Sequence, residues 1–370
     1  MKINDIAAKI EEIVPLGLAQ DWDNVGLLIG DEKLNVKNIL LTIDITKDVV
    51  AEAKRLKAQM IISYHPVIWD GLKKIVAAGA TEVIYRLIRE DISVFSIHTA
   101  LDVAEGGVND ELAEMVGICD AKPIGDFVED SESKVYKLAI FVPVEAAAKV
   151  SNALFAAGAG GIGRYEKCSF ETEGIGSFLP GRDAKPAVGK RGRLEKVPEI
   201  RFETIVPAKK LDDCIAAMKK AHPYEMPAFD VIKLYNNRDK FGLGRIGNLK
   251  KPVQLRQIIE KIKDKTGAKA MGIVGRQSRI VRKAAVCAGS CGKIINAVIA
   301  AECDLYVTGE LKHHQALAGE QADLTCICLS HTVSERFILK KLAKRLQKEI
   351  KNITIKISRV DSDPFIWKQI

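Results

Sequence analysis

No stretch of this 370-residue chain is apolar for long enough to span a bilayer. Its amino-terminal run, MKINDIAAKIEEIVPLG, is amphipathic and acidic, not a charged segment followed by an apolar one. That excludes an export signal there and gives a cytoplasmic expectation. Low-complexity tracts are missing as well. Of the eight cysteines, no pair has zinc-ribbon spacing: Cys287 and Cys291 lie four apart, and Cys326 and Cys328 alternate onto one face of a strand. With Cys119 and Cys214 scattered on helices, reduced packing cysteines are the expectation in a reducing compartment. Charge of one sign is also wanting, since 56 Lys+Arg against 48 Asp+Glu leaves only +8. The excess is spread, apart from Lys185 to Lys196 and a lysine-rich helix from Lys340 to Lys351. Such a helix face is ordinarily solvated, and no recognition motif argues for nucleic acid, although the charge permits it.

What is present is 47% hydrophobic residues, enough for substantial cores in two or three domains. Only six histidines occur, and three of them stand where an apolar strand gives way to polar residues. The first is Met60-Ile61-Ile62-Ser63-Tyr64-His65-Pro66, in which Pro66 stops the strand and fixes the direction of His65. The others are Ser96-Ile97-His98-Thr99-Ala100-Leu101-Asp102 and Leu329-Ser330-His331-Thr332-Val333-Ser334-Glu335. Each reads His-Thr, two residues, then a carboxylate four positions after the histidine. If His331 opens a helix, Glu335 lies one turn on along the same face, so both reach one ion. Imidazole nitrogen with carboxylate oxygen suits divalent zinc, manganese, iron, cobalt or nickel. The carboxyl edge of a parallel sheet is where ligands bind in α/β folds. The repetition of this pattern suggests a duplicated α/β half.

Periodicity predicts helices over 3–14, 49–56, 81–90, 110–116, 211–221, 255–263 and 335–348, with strands 38–43, 93–97, 283–287, 305–307, 325–329 and 353–357 between them. This alternation implies largely parallel sheets. Gln20 to Gly30 is a polar turn running into a strand. Trp22, Asp23 and Asn24 either make a tight turn or stand beside the site opening. From about Ser133 a βαβ–βαβ order, with strands 134–142, 200–205 and 228–234, suits a ferredoxin-like α+β domain. The glycine run from Gly158 to Gly163 follows a helix instead of opening one, which argues against a phosphate cradle. Gly289-Ser290-Cys291-Gly292 opens a helix and offers backbone N–H groups to an anion. The expected division is an α/β half at 1–130, an inserted α+β domain at 131–238, and a second α/β half at 239–370.

With these histidine motifs and Thr308-Gly309-Glu310, the chain resembles the NGG-one-interacting factor three-like family, also called GTP cyclohydrolase 1 type 2 homologs. The resemblance runs over nearly the whole length. It takes in Trp22 to Gly30, Gly244 to Gly247, Gly289 to Lys293 and Asp363-Pro364-Phe365. The middle resembles the PII/CutA-like insert of longer members, through Tyr165 to Phe178 and Ala221 to Asp230. The resemblance implies a dinuclear metal centre between the two halves and a toroidal homohexamer, a trimer of dimers. By motif, His65, Asp102, His331 and Glu335 take the ligand positions. The family usually has two adjacent histidines where this chain has Tyr64-His65, so either one of the two metal sites is weakened or Tyr64 supplies a phenolic oxygen in place of the imidazole, and the expectation is one or two divalent ions per chain.

A two-metal site activates water and polarises carbonyl, phosphoryl or imine carbon. The expected activity is hydrolysis of a small, anionic or nucleotide-like substrate. His98 either orients a ligand or acts as general acid/base. His314 and Glu310 are open between the site and the surface. His222 either holds a turn of the insert or belongs to a small-molecule or metal-sensing site. No guanine-reading motif accompanies the family's name. The alternative expectation is a metal-dependent regulatory or nucleic-acid-binding ring without turnover, and a weaker one is a metallochaperone.

Overall fold

The structure is a computed structural model that describes residues 1–127, 135–234 and 241–366. The expected segment boundaries near 130 and 238 fall outside the described residues. Two compact units emerge, Met1–Val128 with Asp239–Ile370, and Glu129–Arg238. In the first unit the strands before the insert are β1 (Gly26–Ile29), β2 (Asn38–Thr42), β3 (Met60–Ser63), β4 (Ser93–Ser96) and β5 (Ile118–Phe127). The insert holds β6 (Val135–Pro143), β7 (Ser169–Phe178), β8 (Glu195–Pro207) and β9 (Phe229–Lys233). The remaining strands are β10 (Gly242–Gln254), β11 (Gly272–Val274), β12 (Ile280–Cys287), β13 (Leu305–Thr308), β14 (Thr325–Cys328) and β15 (Thr354–Ile357).

The first unit is mixed α/β with two sheets. One has the order β1-β4-β3-β2-β15 and the other β11-β14-β13-β12-β10-β5. Their centres are parallel: β15, β2, β3 and β4 in one, β12, β13 and β14 in the other. Strands β1, β11, β10 and β5 join antiparallel, so the parallel alternation expected from the sequence holds for β15-β2-β3-β4 and β12-β13-β14, and both sheets are mixed. Each sheet takes a strand from the far end of the chain, since β15 pairs with β2 and β5 with β10. This exchange knits both sheets into one hydrophobic core, which runs from Ile3, Ile6 and Ile10 to Leu342 and Leu346. Ile3, Ile6, Ile10 and Ile13 are the buried residues of helix Ile3–Ile13, the stripe that a 3.6-residue period brings to one face.

Two strands were not apparent in the sequence, β5 and the 13-residue β10. Glycines in β10 disguise it, because they weaken the strand signal. They are there for close approach: a Cβ on Gly244 would meet the Val286 carbonyl oxygen at 2.7 Å, and one on Gly247 the Cys119 carbonyl at 2.8 Å. The single helix expected over 335–348 is two, His331–Arg336 and Ile338–Glu349, with Glu335 in the first.

In the second unit the four strands form an antiparallel sheet of order β7-β8-β6-β9. Helices Ala147–Ala156 and Leu211–Ala221 supply its core with Leu138, Ile140, Val142 and Phe202. The chain order is β-α-β-β-α-β.

Candidate metal centre

The site forms where strands of both sheets of the first unit end. β3 stops at Ser63, and the chain stays pinned to β2 through Tyr64 N–H to the Thr42 carbonyl (2.9 Å) and His65 N–H to the Ile43 carbonyl (3.0 Å). β4 stops at Ser96. His98 then opens a helix, His98–Val103, with its own N–H bonded to the Tyr64 carbonyl at 2.9 Å. After β14, Ser330 turns the chain with φ +74°, a conformation that costs a non-glycine residue about 1–3 kcal/mol. The corner is held by Ser330 N–H to the Gly309 carbonyl (3.0 Å) and Ser330 Oγ to Asp363 Oδ2 (2.6 Å). His331 opens the next helix from this corner, and Glu335 follows one turn later.

His65, His331 and Glu335 converge so that one ligand atom from each lies within 4.8 Å of the others. Glu335 is 3% exposed. Its Oε1 is 3.3 Å from His331 Nε2 and its Oε2 3.3 Å from His65 Nε2. The second contact lacks hydrogen-bond geometry, and Oε2 is a buried oxygen without a hydrogen-bond partner. The other nitrogen of each imidazole is tied back to a carboxylate: His65 Nδ1 to Asp44 at 2.9 Å, His331 Nδ1 to Glu310 at 3.0 Å. That leaves both Nε2 atoms aimed at the same carboxylate, the arrangement by which proteins orient metal-binding histidines. Gly289 flanks the cluster, and a Cβ there would sit 2.6 Å from Glu335 Oε1.

Asp102 lines the same cavity of about 530 Å³, as does His98. Asp102 accepts a hydrogen bond from the hydroxyl of Tyr64, which is fully buried behind it. The His98 ring centroid is 5.1 Å from that of His65, and its Nδ1 bonds Asp23 at 2.8 Å. Asp23 also accepts from Thr99 N–H (3.0 Å) and Thr99 Oγ1 (2.5 Å). Trp22 and Trp69 stand edge-on to the His98 ring at 5.9 and 5.3 Å. Glu310 faces the cavity, whereas His313 and His314 are exposed beyond it and pair with each other at 5.4 Å.

Electrostatics follow from burial among carboxylates. Burial opposes a charge on His65, but Asp44 and Glu335 outweigh it and raise its pKa to about 10. Burial, with Glu335 nearby, lifts Asp102 to about 6 despite His98. Burial also pushes on Asp23, yet its bond to His98 wins and lowers it. Tyr64, enclosed and facing Asp102, is held well above the ordinary phenol range.

The sequence missed Asp44, Trp69 and Lys293, which all line the cavity. Asp44 stood in view, two residues past the end of β2 on the same carboxyl edge as His65.

The family described as Duf34/NIF3 (NGG1p interacting factor 3) matches residues 1–364. The chain belongs to the Duf34/NIF3 family. It is 34% identical over 371 residues to a protein named GTP cyclohydrolase 1 type 2 homolog from Staphylococcus epidermidis, covering 100% of both chains. A protein of the same name from Bacillus subtilis is 36% identical over 361 residues, 96% of each chain. The solved structure of a Bacillus cereus protein related to NIF3 superposes with a TM-score of 0.70 at 36% identity, covering 100% of this chain and 99% of that one. The mixed α/β fold described above agrees with that neighbour.

In this Duf34/NIF3 chain the donor set fits a divalent cation. Two imidazoles are locked by carboxylates behind them, and an orphaned buried oxygen lies between them. Burying such an oxygen costs free energy unless a cation or donor meets it. A His-His-Glu set of this kind could hold one ion.

Proposed function

We propose that this cleft is a metal-dependent hydrolytic centre for a small anionic or nucleotide-like substrate. The observation that carries the proposal is the unpartnered Glu335 Oε2, buried between the aimed Nε2 atoms of His65 and His331. These three residues, with Asp102 beside them, would hold the ion, of the zinc, manganese, iron, cobalt or nickel type. A bound divalent cation supplies Lewis acidity and a nucleophile from water at neutral pH. Asp44 and Glu310 fix the imidazoles. Tyr64 orders Asp102 through its hydroxyl and stands where the family has a histidine, so a single ion per chain is the reading the geometry favours over a pair. His98, with Nδ1 committed to Asp23, has Nε2 left to move a proton at the substrate. Lys293 brings positive charge to the cavity wall, and Trp22 and Trp69 give it flat apolar surfaces.

The test is a panel of nucleotides and phosphate esters incubated with each divalent metal, comparing the natural chain with Asp102→Ala. The expected result is turnover of at least one compound that falls about 100-fold or more in the variant. Turnover unaffected by the substitution would contradict it. Salt-steep binding of DNA or RNA that survives it, without turnover, would support the ring-shaped binder instead.

The proposal extends, on the strength of the family resemblance, to a homohexamer assembled as a trimer of dimers and to a PII/CutA-like insert at 131–238 between halves at 1–130 and 239–370. Sedimentation at six times the 40.6 kDa chain mass checks the assembly. Eight cysteines, all free, suit a cytoplasmic location.

A further inference from the structure

The insert carries a cavity of its own, far in character from the metal centre. It begins with a parity effect in the sheet. In β6 the even-numbered residues Leu138, Ile140 and Val142 are fully buried in the insert's helix-covered core, and Phe202 of β8 joins them. Side chains alternate along strands, so Phe141 and Glu199 stand on the opposite face. An outward face would ordinarily leave a glutamate in water. Here the segment from Pro180 to Ala187 and the turn from Tyr224 to Ala228 cover that face and enclose about 390 Å³. Glu199 is left only 9% exposed.

The turn is built to place a donor on this glutamate. His222 was open between a structural turn and a sensing role, and the geometry favours the turn. Its Nε2 donates to the Phe141 carbonyl at 3.1 Å, and its Nδ1 accepts from Tyr224 N–H at 3.0 Å. Burial holds the ring below the ordinary histidine pKa, in keeping with a neutral imidazole. So fixed, Tyr224 donates its hydroxyl to Glu199 Oε1 at 2.9 Å. That is the one hydrogen bond the structure gives the carboxylate, and no lysine or arginine among the described residues pairs with it. Space beside Oε2 is kept by Gly176, where a Cβ would come within 2.1 Å of that oxygen. The walls are aromatic, Phe141, Phe178 and Tyr224, with the last two rings 5.9 Å apart. Lys185 and Glu225 also line the cavity, and Glu225 accepts from the Lys185 backbone N–H at 3.0 Å. Two carboxylates against one ammonium leave the lining negative. Of the cations near the lining, Arg201 lies over the Phe141 ring at 5.8 Å and is bound to Glu203, and Arg191 donates its Nε to the Ala184 carbonyl at 2.7 Å.

We propose that this cavity is a binding site for a small organic cation, an amine or amidine on an aromatic or apolar body. A carboxylate nine-tenths buried, with one neutral donor and no paired cation, is completed by a positive ligand. Aromatic faces around it favour a diffuse, weakly hydrated ammonium or amidinium over a metal ion, which prefers several hard oxygen or imidazole ligands. The volume suits a molecule of one ring and a short chain. This site is independent of the hydrolytic reading of the first unit.

The experiment titrates the full chain by calorimetry with phenethylamine, benzamidine and uncharged phenethyl alcohol. The two cations are expected to bind about tenfold or more tightly than the alcohol, the scale of a charge-assisted hydrogen bond. Glu199→Gln, which keeps an acceptor for Tyr224, should erase that preference. Glu335→Gln, in the metal centre, should leave it unchanged. Equal affinity for amines and alcohol, a preference that survives Glu199→Gln or is lost in Glu335→Gln, or no binding up to about 10 mM would each overturn the site. Should Glu199→Gln not fold, Gly176→Val decides: it fills the space beside Oε2, and unchanged amine binding in it would be the overturning result.

Discussion

Two glutamates, Glu335 and Glu199, are buried to 3% and 9% exposure in different units of this chain, and their surroundings call for different partners. Glu335 faces two imidazoles that further carboxylates hold in place, and the cavity wall carries Asp44, Asp102, Glu310 and Glu335 against Lys293. Such a concentration of aimed nitrogen and oxygen donors matches a compact, doubly charged ion. Glu199 has a phenol for company and aromatic rings around it. One buried carboxylate against aromatic rings, in a lining that carries a net single negative charge, matches a bulky, singly charged one. What differs is the chemistry placed behind and around each acid, not its burial.

The comparison can be broken at several points. The largest effect is expected from Glu335→Gln, which should weaken metal affinity by more than about 100-fold and leave no stoichiometric metal by elemental analysis after dialysis. Retention of full metal would move the site elsewhere. Removing the supports should be milder: Asp44→Asn or Glu310→Gln should each weaken metal affinity about 10–100-fold in competition with a chelator. No change in either would mean that the imidazoles need no anchoring. Tyr224→Phe should leave metal affinity alone and lower the insert's stability by about 1 kcal/mol, the value of one hydrogen bond, seen as faster amide exchange in β8. The smallest effect is on pH. His222 has a folded-state pKa below its unfolded value, so its contribution to stability is present above about pH 6.5 and is lost as pH falls through the folded value. Scanning calorimetry between pH 7.5 and 5 should show the insert's transition falling on acidification, and less so in His222→Asn.

The candidate site was legible because its residues follow strand ends in a repeated pattern: His65, His98 with Asp102, and His331 with Glu335 come after β3, β4 and β14, and all five line one cavity. Asp44 was missed for lack of any such repetition, since a lone aspartate after a strand looks like a turn residue. The strand β10 was hidden by glycines that serve backbone approach, not chain reversal. Asp23 was left open between turn and site, and it does both, closing the turn that begins at Gln20 while holding His98. The exchange of β5 and β15 between sheets is a matter of long-range pairing that local periodicity does not carry. The insert's cavity depends on what covers the outer face of its sheet, and no spacing along the chain encodes that.

The central claim is that His65, His331 and Glu335 close around a cation. Elemental analysis of the full chain, purified without chelators, tests it most directly: about one transition-metal ion per chain is predicted, rising toward two in Tyr64→His, where an imidazole replaces the phenol. A chain that emerges metal-free, and stays so after incubation with zinc, manganese, iron, cobalt and nickel, would contradict it.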